Sequence, residues 1–237
     1  MNIEISLEDL LKNGSHFGHN KKRWNPKMDK FIYGEKNGTH VIDLRKSLPL
    51  IENALKFAHE SSKNKKKFLF VSTKKQHIEI VENIAKETNN YYVNFRWLGG
   101  MITNWNTVKN SINTLNNYEN ILKTEDTVFT KKELSDIEKK KIRLDKTLGG
   151  IVEMKSTPDV IFIIDTNREH IAVLEAKKLG IPIIGIVDTN CDPDLIDYPI
   201  PANDDGVKSV QFILDNFKKV LVSGEDTSSV ESTTKNE

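Results

Sequence analysis

The segment spanning residues 158–206 constrains the fold more than any other part of this sequence. Two of its runs, VIFIID at 160–165 and IIGIV at 183–187, are apolar and have the length of strands. Between them, a helical pattern places Ile171, Leu174 and Leu179 on one side, and Gly180 ends it, because glycine adopts the left-handed cap conformation without steric cost. Two apolar strands flanking one helix predict an α/β fold, with a parallel sheet that is buried on both faces.

The end of the same segment is unusually acidic. Between residues 188 and 206 there is no lysine or arginine to neutralise six aspartates, at positions 188, 192, 194, 197, 204 and 205. Loops after the carboxyl ends of parallel strands form the ligand crevice, where Asp188, Asp204 and Asp205 are expected to meet. His19 or His16 would join them if the N-terminal arm covers that edge. Carboxylates with imidazole suit zinc or magnesium. The alternative is that these aspartates only form turns and cap a helix.

A basic and aromatic arm lies near the N-terminus. Residues 16–27, HFGHNKKRWNPK, follow neither a helical nor a strand period. Lys21, Lys22, Arg23, Trp24 and Lys27 predict an ordered arm for a nucleic acid, with backbone contacts and one stacked base. The alternative is a surface loop that is anchored by its tryptophan.

Charge is segregated although the net charge is only +1. Residues 12–30 carry six Lys/Arg and one Asp, whereas residues 223–237 carry four acids and one Lys. Such separated blocks are compatible with one face on a nucleic acid. The single cysteine, Cys191, excludes an internal disulfide framework and indicates a reducing compartment. No apolar run approaches the roughly 18 residues of a membrane span, and the N-terminus lacks the layout of a signal peptide.

Further strands are predicted at 40–44, 68–71 and 91–95, with a helix at about 75–88. The turn after the second of these strands contains Lys74 and Lys75, which are further candidates for binding a nucleic acid. The same turn lacks the glycines that let a backbone approach a pyrophosphate. The sequence also contains no G-x-S-x-G nucleophile elbow. Aspartates near Cys191 would raise the pKa of its thiol and so keep it unreactive. These features argue against an enzyme.

Residues 105–148 change character. Apolar positions recur in alternating steps of three and four, first from Trp105 to Leu122 and then from Leu134 to Ile151. This pattern predicts an antiparallel helical hairpin of coiled-coil type. Its outward positions are mostly Lys, Asn, Thr and Glu, which favours a projection over two helices lying on the sheet. The basic residues of the second arm, Lys139, Lys140 and Arg143, would add to a surface for a nucleic acid.

The sequence therefore predicts three parts. Residues 1–104 and 149–222 form one α/β globular domain with a basic arm, and residues 105–148 are an inserted hairpin. A last helix begins at about residue 204 and buries Val207, Val210 and Phe217. Residues 223–237 contain too few apolar side chains to offset the entropy of ordering, so they are predicted to be a disordered acidic tail.

The segment FRWLGGMITNW, at 95–105, contains an arginine, two indoles and a Gly-Gly pair. Arg96, Trp97 and Asn104 predict contacts with phosphate and bases. The alternative is that Trp97 and Trp105 make cation–π contacts in the core. This segment resembles a hallmark of the bacterial small-subunit ribosomal protein number two family. HFGHNKKRWNPKM and IVDTNCDPDLIDYPIPANDD are similar to the same family, and the resemblance covers about residues 5–222.

The resemblance implies a flavodoxin-like parallel sheet with an inserted helical hairpin. It implies a non-enzymatic constituent of the 30S subunit that binds 16S ribosomal RNA and helps to dock ribosomal protein number one. Because some members are reported to hold zinc, it also implies a metal at His19, Asp188, Asp204 and Asp205. The implied location is the cytoplasm, and the absence of a transit peptide favours a bacterial over an organellar protein. Two alternatives are a flavodoxin-like nucleotide-binding enzyme and a free-standing metal-binding adaptor.

Overall fold

The computed structural model describes residues 5–124 and 129–233, with side chains up to residue 224. In chain order, its elements are α1 (Leu7–Lys12), β1 (Phe17–Asn20), β2 (Ile32–Lys36), β3 (Thr39–Ile42), α2 (Leu44–Lys63), β4 (Phe68–Val71), α3 (Ile78–Glu87), β5 (Tyr91–Val93), α4 (Trp105–Lys123), α5 (Lys131–Leu148), β6 (Val160–Ile164), α6 (His170–Leu179), β7 (Ile183–Val187), β8 (Tyr198–Pro201) and α7 (Val207–Thr233). Within these described ranges, no helix combines the length and the apolar character needed to cross a membrane.

The main sheet has five parallel strands in the order β5-β4-β6-β7-β8. Every residue of β4, β6 and β7 is buried, because successive side chains enter two different cores. Phe70 and Phe162 pack in the core under α2, α3 and α7. Leu69 and Ile161 pack in the core on the other face, with residues from α4, α5 and α6. The predicted flavodoxin-like α/β fold, with its sheet covered on both faces, is confirmed.

A second, antiparallel sheet contains the strands β1-β3-β2. The sequence predicted a strand at residues 40–44, and the structure has β3 at Thr39–Ile42, outside the parallel sheet. Instead, β3 pairs with β1 and β2. The cause is the turn at Asn37 and Gly38, whose φ values of 54° and 78° are those of an Asn-Gly hairpin. Residues 17–20 of the basic arm also form a strand, although their sequence shows no strand period.

The orientation of α6 differs from the prediction. The sequence pattern places Ile171, Leu174 and Leu179 on one side, which would be the buried side of an amphipathic helix, but all three are exposed. The buried side of the helix instead consists of Ala172, Val173, Glu175 and Ala176. Small alanines allow the helix to approach the sheet closely, and the carboxylate of Glu175 is accepted there because it is fully hydrogen-bonded.

Helices α4 and α5 occupy the region predicted as a hairpin and contact each other. Val108, Ile112 and Leu115 on α4 and Leu148 on α5 are buried in the same core as the β6 strand. Leu134, farther along the pair, is only half-buried. The near end of the two helices therefore belongs to the core, and the far end does not.

The last helix extends beyond its expected end. The sequence predicted a disordered tail from Ser223, whereas α7 continues to Thr233 in the structure. The helix is held at this point by α2, because Ser62 Oγ donates to the Leu221 carbonyl at 2.7 Å. A Cβ added at Gly224 would lie 2.7 Å from that of Ser62, so α7 and α2 approach closely here. Residues 234–237 of the predicted tail lie outside the described residues.

Candidate functional site

Charged side chains converge at the carboxyl ends of four parallel strands. Lys74 follows β4, Asp165 follows β6, Asp188 follows β7, and Asp204 and Asp205 follow β8. The ammonium of Lys74 lies 2.8 Å from Asp165 Oδ2, 2.8 Å from Asp204 Oδ1 and 2.7 Å from Asp205 Oδ1. Its side chain is only 11% exposed, so it fills the crevice in which a doubly wound fold binds its ligand.

His19 closes the same cluster from the small sheet. Its Nδ1 lies 3.1 Å from Asp188 Oδ2, and its Nε2 lies 3.2 Å from Asp205 Oδ2. The backbone fixes this position, because the N–H of His19 donates to Thr189 Oγ1 at 2.9 Å. Gly18 permits the approach, since a Cβ there would lie 2.6 Å from Thr189 Cγ2. The expectation that the arm brings His19 to the aspartates is therefore confirmed.

The electrostatics of this cluster are strongly coupled. The hydrogen bond to Asp188 raises the pKa of His19 to about 9. Burial, followed by the negative charges of Asp188 and Asp165, raises the pKa of Asp204 to about 7. Burial alone would lower the pKa of Lys74, but the charge of Asp204 and the hydrogen bonds to three carboxylates raise it. Without a metal, the cluster is thus an imidazolium and an ammonium held among carboxylates.

The sequence predicted that the six aspartates have no basic partner, and this is wrong. Asp188 pairs with His19, and Asp204 and Asp205 pair with Lys74. The other three have exposed partners: Asp192 and Asp194 contact Lys27, and Asp197 contacts Lys177. The cations come from distant parts of the chain, so a local reading of the acidic segment could not find them.

Three atoms of the cluster have the arrangement of a metal donor set. Ligand atoms of His19, Asp204 and Asp205 all lie within 4.8 Å of one another. Among the described residues, Asp204 Oδ2 is buried and has no hydrogen-bond partner. Asp188 contacts the opposite ring nitrogen of His19, as carboxylates do that orient a metal-ligating histidine. The donor set therefore fits a divalent cation, with Asp188 as an orienting residue rather than a ligand.

Cys191 and His77 lie beside this cluster and are inert in different ways. Burial raises the pKa of the Cys191 thiol to about 12, which leaves it protonated. Burial, with a smaller effect of the Lys74 charge, lowers the pKa of His77 to about 4. Its Nδ1 lies 3.2 Å from Ser72 Oγ in the buried turn after β4. Because Ser72 and His77 are both fully buried, a substrate cannot reach this hydroxyl and imidazole, and the protonated Cys191 thiol is not an activated nucleophile.

The cations of the arm lie on the surface but differ in their partners. Lys21 pairs with Glu35 at 2.9 Å, and Lys27 pairs with Asp192 at 2.7 Å. Lys22 and Arg23 are exposed and make no ion pair with any described residue. Trp24 is half-buried, and its ring centroid lies 5.2 Å from that of His40. The sequence predicted a basic surface at this arm. Within the described residues, the positive charge of the arm that has no ion-pair partner is concentrated at Lys22 and Arg23.

The loop between β5 and α4 is organised by Glu175 of α6. The Glu175 carboxylate accepts from Trp97 Nε1 at 3.1 Å and from the backbone N–H groups of Gly100, Ile102 and Thr103 at 2.7–3.2 Å. The Thr103 hydroxyl donates a fifth hydrogen bond at 2.9 Å. Burial opposes the charge, but the bonds from Trp97, Thr103 and Gly100 outweigh it and lower the pKa of Glu175. Glu175 lies among the apolar residues that form the buried side of the helix. This acidic residue on an apolar side was the sequence signal that the prediction overlooked.

Of the residues predicted to bind RNA, Trp97 is buried and the side chain of Lys74 is only 11% exposed. Trp97 packs in the core and donates to Glu175, and Lys74 fills the carboxylate cluster, so neither side chain is exposed to a nucleic acid. The remaining predicted residues of the loops and of α5 are exposed: Lys75, Arg96, Asn104, Lys139, Lys140 and Arg143. They lie on separate elements, and the charged cluster brings none of them together.

An apolar surface is formed by α1 and the small sheet. Leu7, Leu11, Phe17 and Tyr33 are all exposed. Next to them, a cavity of about 640 Å³ is lined by residues that include Phe17, Tyr33 and His40. Among the described residues, the buried Nδ1 atoms of His16 and His40 lack hydrogen-bond partners. We call Leu7, Leu11, Phe17 and Tyr33 the α1 patch.

Comparison with known proteins gives consistent matches. A family model described as "Ribosomal protein S2" matches residues 10–224. The chain is 52% identical over 236 residues to "Small ribosomal subunit protein uS2" of Wolbachia pipientis subsp. Culex pipiens (strain wPip), covering 99% of this chain and 87% of that protein. It is 48% identical over 221 residues to the protein of the same name from Bartonella quintana (strain Toulouse), covering 93% and 86%.

Proposed function

Because the chain belongs to the ribosomal protein S2 family, whose members are structural proteins and not enzymes, we propose that it binds 16S ribosomal RNA in a bacterial 30S subunit and helps to hold ribosomal protein number one there. The observation that carries the RNA part is the pair of exposed cations on the arm, Lys22 and Arg23, without an ion-pair partner among the described residues. Phosphate contacts by such side chains supply most of the sequence-independent affinity for a nucleic acid.

Arg96 supplies a second RNA contact in this proposal. It is exposed on the loop that Glu175 holds through five hydrogen bonds, so its backbone is fixed before any partner arrives. Preorganisation of this kind lowers the entropic cost of binding. Lys139, Lys140 and Arg143 on α5 extend the basic surface along the hairpin.

The α1 patch is the surface proposed for ribosomal protein number one. Scattered apolar residues are normal on a protein surface, but contiguous patches next to a cavity mark interaction sites. Phe17 and Tyr33 border both the patch and the cavity, so an incoming apolar side chain would contact two aromatic rings.

A flavodoxin-like nucleotide-binding enzyme is disfavoured by the crevice itself. The position at which such a fold binds phosphate is filled by Lys74 and its three carboxylates. Carboxylates repel an anionic ligand, and the turn at 72–75 contains no glycine.

Metal binding is a secondary proposal. It is supported by the residues for which the family resemblance implied a metal, because their side chains converge as the ligands of one ion must. His19, Asp204 and Asp205 would hold a divalent cation, and Asp188 would orient the imidazole. When bound, the ion would tie β1 of the arm to the loop after β8. Elemental analysis after gel filtration is expected to show metal in the wild type and much less in His19→Gln. His16→Gln, next to the α1 patch, serves as the matched control and should retain the metal. Metal-free wild type protein of normal stability would contradict this proposal.

Filter binding to 16S fragments across a salt series tests the RNA proposal. Each phosphate contact that is lost should reduce the slope of log K against log salt by about 0.7–0.9. We expect Lys22→Ala to reduce the slope by the amount that corresponds to the loss of about one phosphate contact. Lys27→Ala should reduce it less, because Lys27 already pairs with Asp192 and Asp194.

Arg23→Lys is expected to cost more than charge counting predicts, since lysine lacks the bidentate planar fork. If affinity is independent of salt, or is unchanged when Lys21, Lys22 and Arg23 are all replaced by alanine, the arm is not the RNA surface. Cosedimentation with 30S particles provides the broader control for incorporation into the subunit.

A further inference from the structure

Helix α6 exposes three large aliphatic side chains. Ile171 and Leu179 are each 44% exposed, and Leu174 is 56% exposed. The opposite side of the helix is buried, because Ala172, Val173 and Ala176 pack in the core on the sheet. The aliphatic residues are therefore not needed to attach α6 to the domain.

The exposed charged side chains that α6 itself carries are all basic. Glu175 is the one acidic residue of the described helix, and it is buried under the 97–103 loop. Glu169, at the helix start, is also buried and accepts from Thr73. The exposed residues with basic side chains are Arg168, His170, Lys177 and Lys178. Lys177 pairs with the exposed Asp197, and Arg168 lies 3.9 Å from the buried Glu169, so Lys178 is the lysine of this helix without a partner among the described residues. The outward side of α6 is thus aliphatic and basic.

The neighbouring loop continues the same character. Phe95 and Leu98 are exposed on the segment that Glu175 holds against α6. The helix and the loop are therefore held in a fixed relative position, because the buried carboxylate of the helix accepts hydrogen bonds from the loop. The ten residues of α6 span about 15 Å, which corresponds to three turns of a partner helix.

We propose that this surface, the α6 face, docks an acidic amphipathic helix of another protein. Leucine-like side chains of the partner would pack on Ile171 and Leu174, and its flanking Asp or Glu residues would face Lys178. This is helix recognition through apolar positions spaced by three and four residues. The site is separate from the α1 patch and from the basic arm, and it goes beyond the function proposed above.

Two other occupants fit the α6 face less well. RNA bases stack on aromatic side chains or arginine planes, whereas the centre of this face is aliphatic. A second copy in a two-fold dimer would place the same basic residues opposite each other, and such like-charge contacts are unfavourable. Charge complementarity therefore selects an acidic protein segment.

Fluorescence anisotropy with two synthetic 18-residue helical peptides tests the proposal on the full chain. Both carry leucines at spacings of three and four residues, flanked by glutamates in one peptide and by lysines in the other. We expect the glutamate peptide to bind about tenfold or more tightly than the lysine peptide. Leu174→Glu should weaken glutamate-peptide binding by about tenfold, and Lys178→Glu should weaken it while improving binding of the lysine peptide.

Leu11→Glu is the matched control, because Leu11 is also 56% exposed but belongs to the α1 patch. It should leave binding of the glutamate peptide unchanged. Both substitutions are at exposed positions, and circular dichroism checks that the fold is kept. Equal binding of the two peptides, or equal effects of Leu11→Glu and Leu174→Glu, would overturn the proposal. So would a tenfold loss of 16S RNA affinity in Leu174→Glu, or a wild type dimer that this substitution dissociates.

Discussion

The indole N–H of Trp97 donates to the buried carboxylate of Glu175 at 3.1 Å, across 78 residues of sequence. This bond joins the loop after β5 to the helix after β6. Four further donors of the same loop end on the same carboxylate. A side chain of α6 thus determines the conformation of a segment that the sequence indicated as a surface for RNA.

Glu175→Gln should destabilise the protein although the change is isosteric. The amide would bring an NH₂ group to donors that now share an acceptor, so at least one buried N–H loses its partner. We expect the free energy of unfolding in urea to fall by about 2–4 kcal/mol. The amides of Gly100, Ile102 and Thr103 should exchange faster. Glu79→Gln, at an exposed position on α3, is the control and should change stability by less than about 0.5 kcal/mol.

Lys74→Met should be strongly destabilising, because it leaves the buried Asp204 and its neighbours without their ammonium. Breaking a buried ion pair in this way costs about 3–5 kcal/mol at neutral pH. The loss should shrink in acid, since Asp204, with a pKa of about 7, then takes up a proton. Lys75→Met removes the adjacent exposed lysine and should be nearly neutral. Equal urea midpoints for the two variants would contradict the assignment of Lys74 to the cluster.

His77 should make the protein sensitive to acid. Its pKa is lowered to about 4 in the folded state, against about 6.5 in an unfolded chain. The unfolded chain therefore binds a proton that the folded one does not, so stability is lost as the pH falls from 6.5 towards 4. The linkage amounts to roughly 3 kcal/mol. Urea unfolding of wild type and His77→Gln at pH 7 and pH 4.5 should show a smaller acid loss in the variant, and parallel losses would refute this.

The hairpin should tolerate removal of its far end but not of its base. Replacing residues 117–141 with a short flexible loop should leave one cooperative thermal transition, because Val108, Ile112 and Leu115 stay in the core. Replacing residues 108–147 removes these side chains and should cost several kcal/mol, since each large-to-small core change costs about 2–5 kcal/mol. Calorimetry of both variants distinguishes the cases. If both unfold like the wild type, the buried base contributes nothing.

The sheet could be predicted because its signal is local. The apolar runs at 160–164 and 183–187, with Gly180 between them, become β6 and β7 and the left-handed cap of α6, where Gly180 has a φ of 68°. Strand β8 was missed because Pro199 and Pro201 are unusual in a strand. It is an edge strand, where a missing N–H is tolerated.

The charged site was only half predictable. The carboxylates follow strand ends and could be expected to meet, and His19 was identified with them. Lys74 was assigned to RNA because exposure is the usual state of a lysine, and nothing near it in sequence shows three carboxylates. The α6 pattern misled for a related reason: hydrophobic periodicity reports which residues share a face, but not which face the sheet covers.

The contacts of the N-terminal arm have a consequence for the newly made chain. His19 is held by Thr189, Asp188 and Asp205, and Ser15 accepts from the Asn203 N–H at 3.0 Å, so the arm's partners lie about 170–190 residues downstream. At roughly 5–20 residues per second of synthesis, the arm waits about 10–40 s for them. Lys22 and Arg23 therefore reach their final arrangement only after residue 205 has been synthesised, so the RNA contacts that we propose for them form after the globular domain has folded.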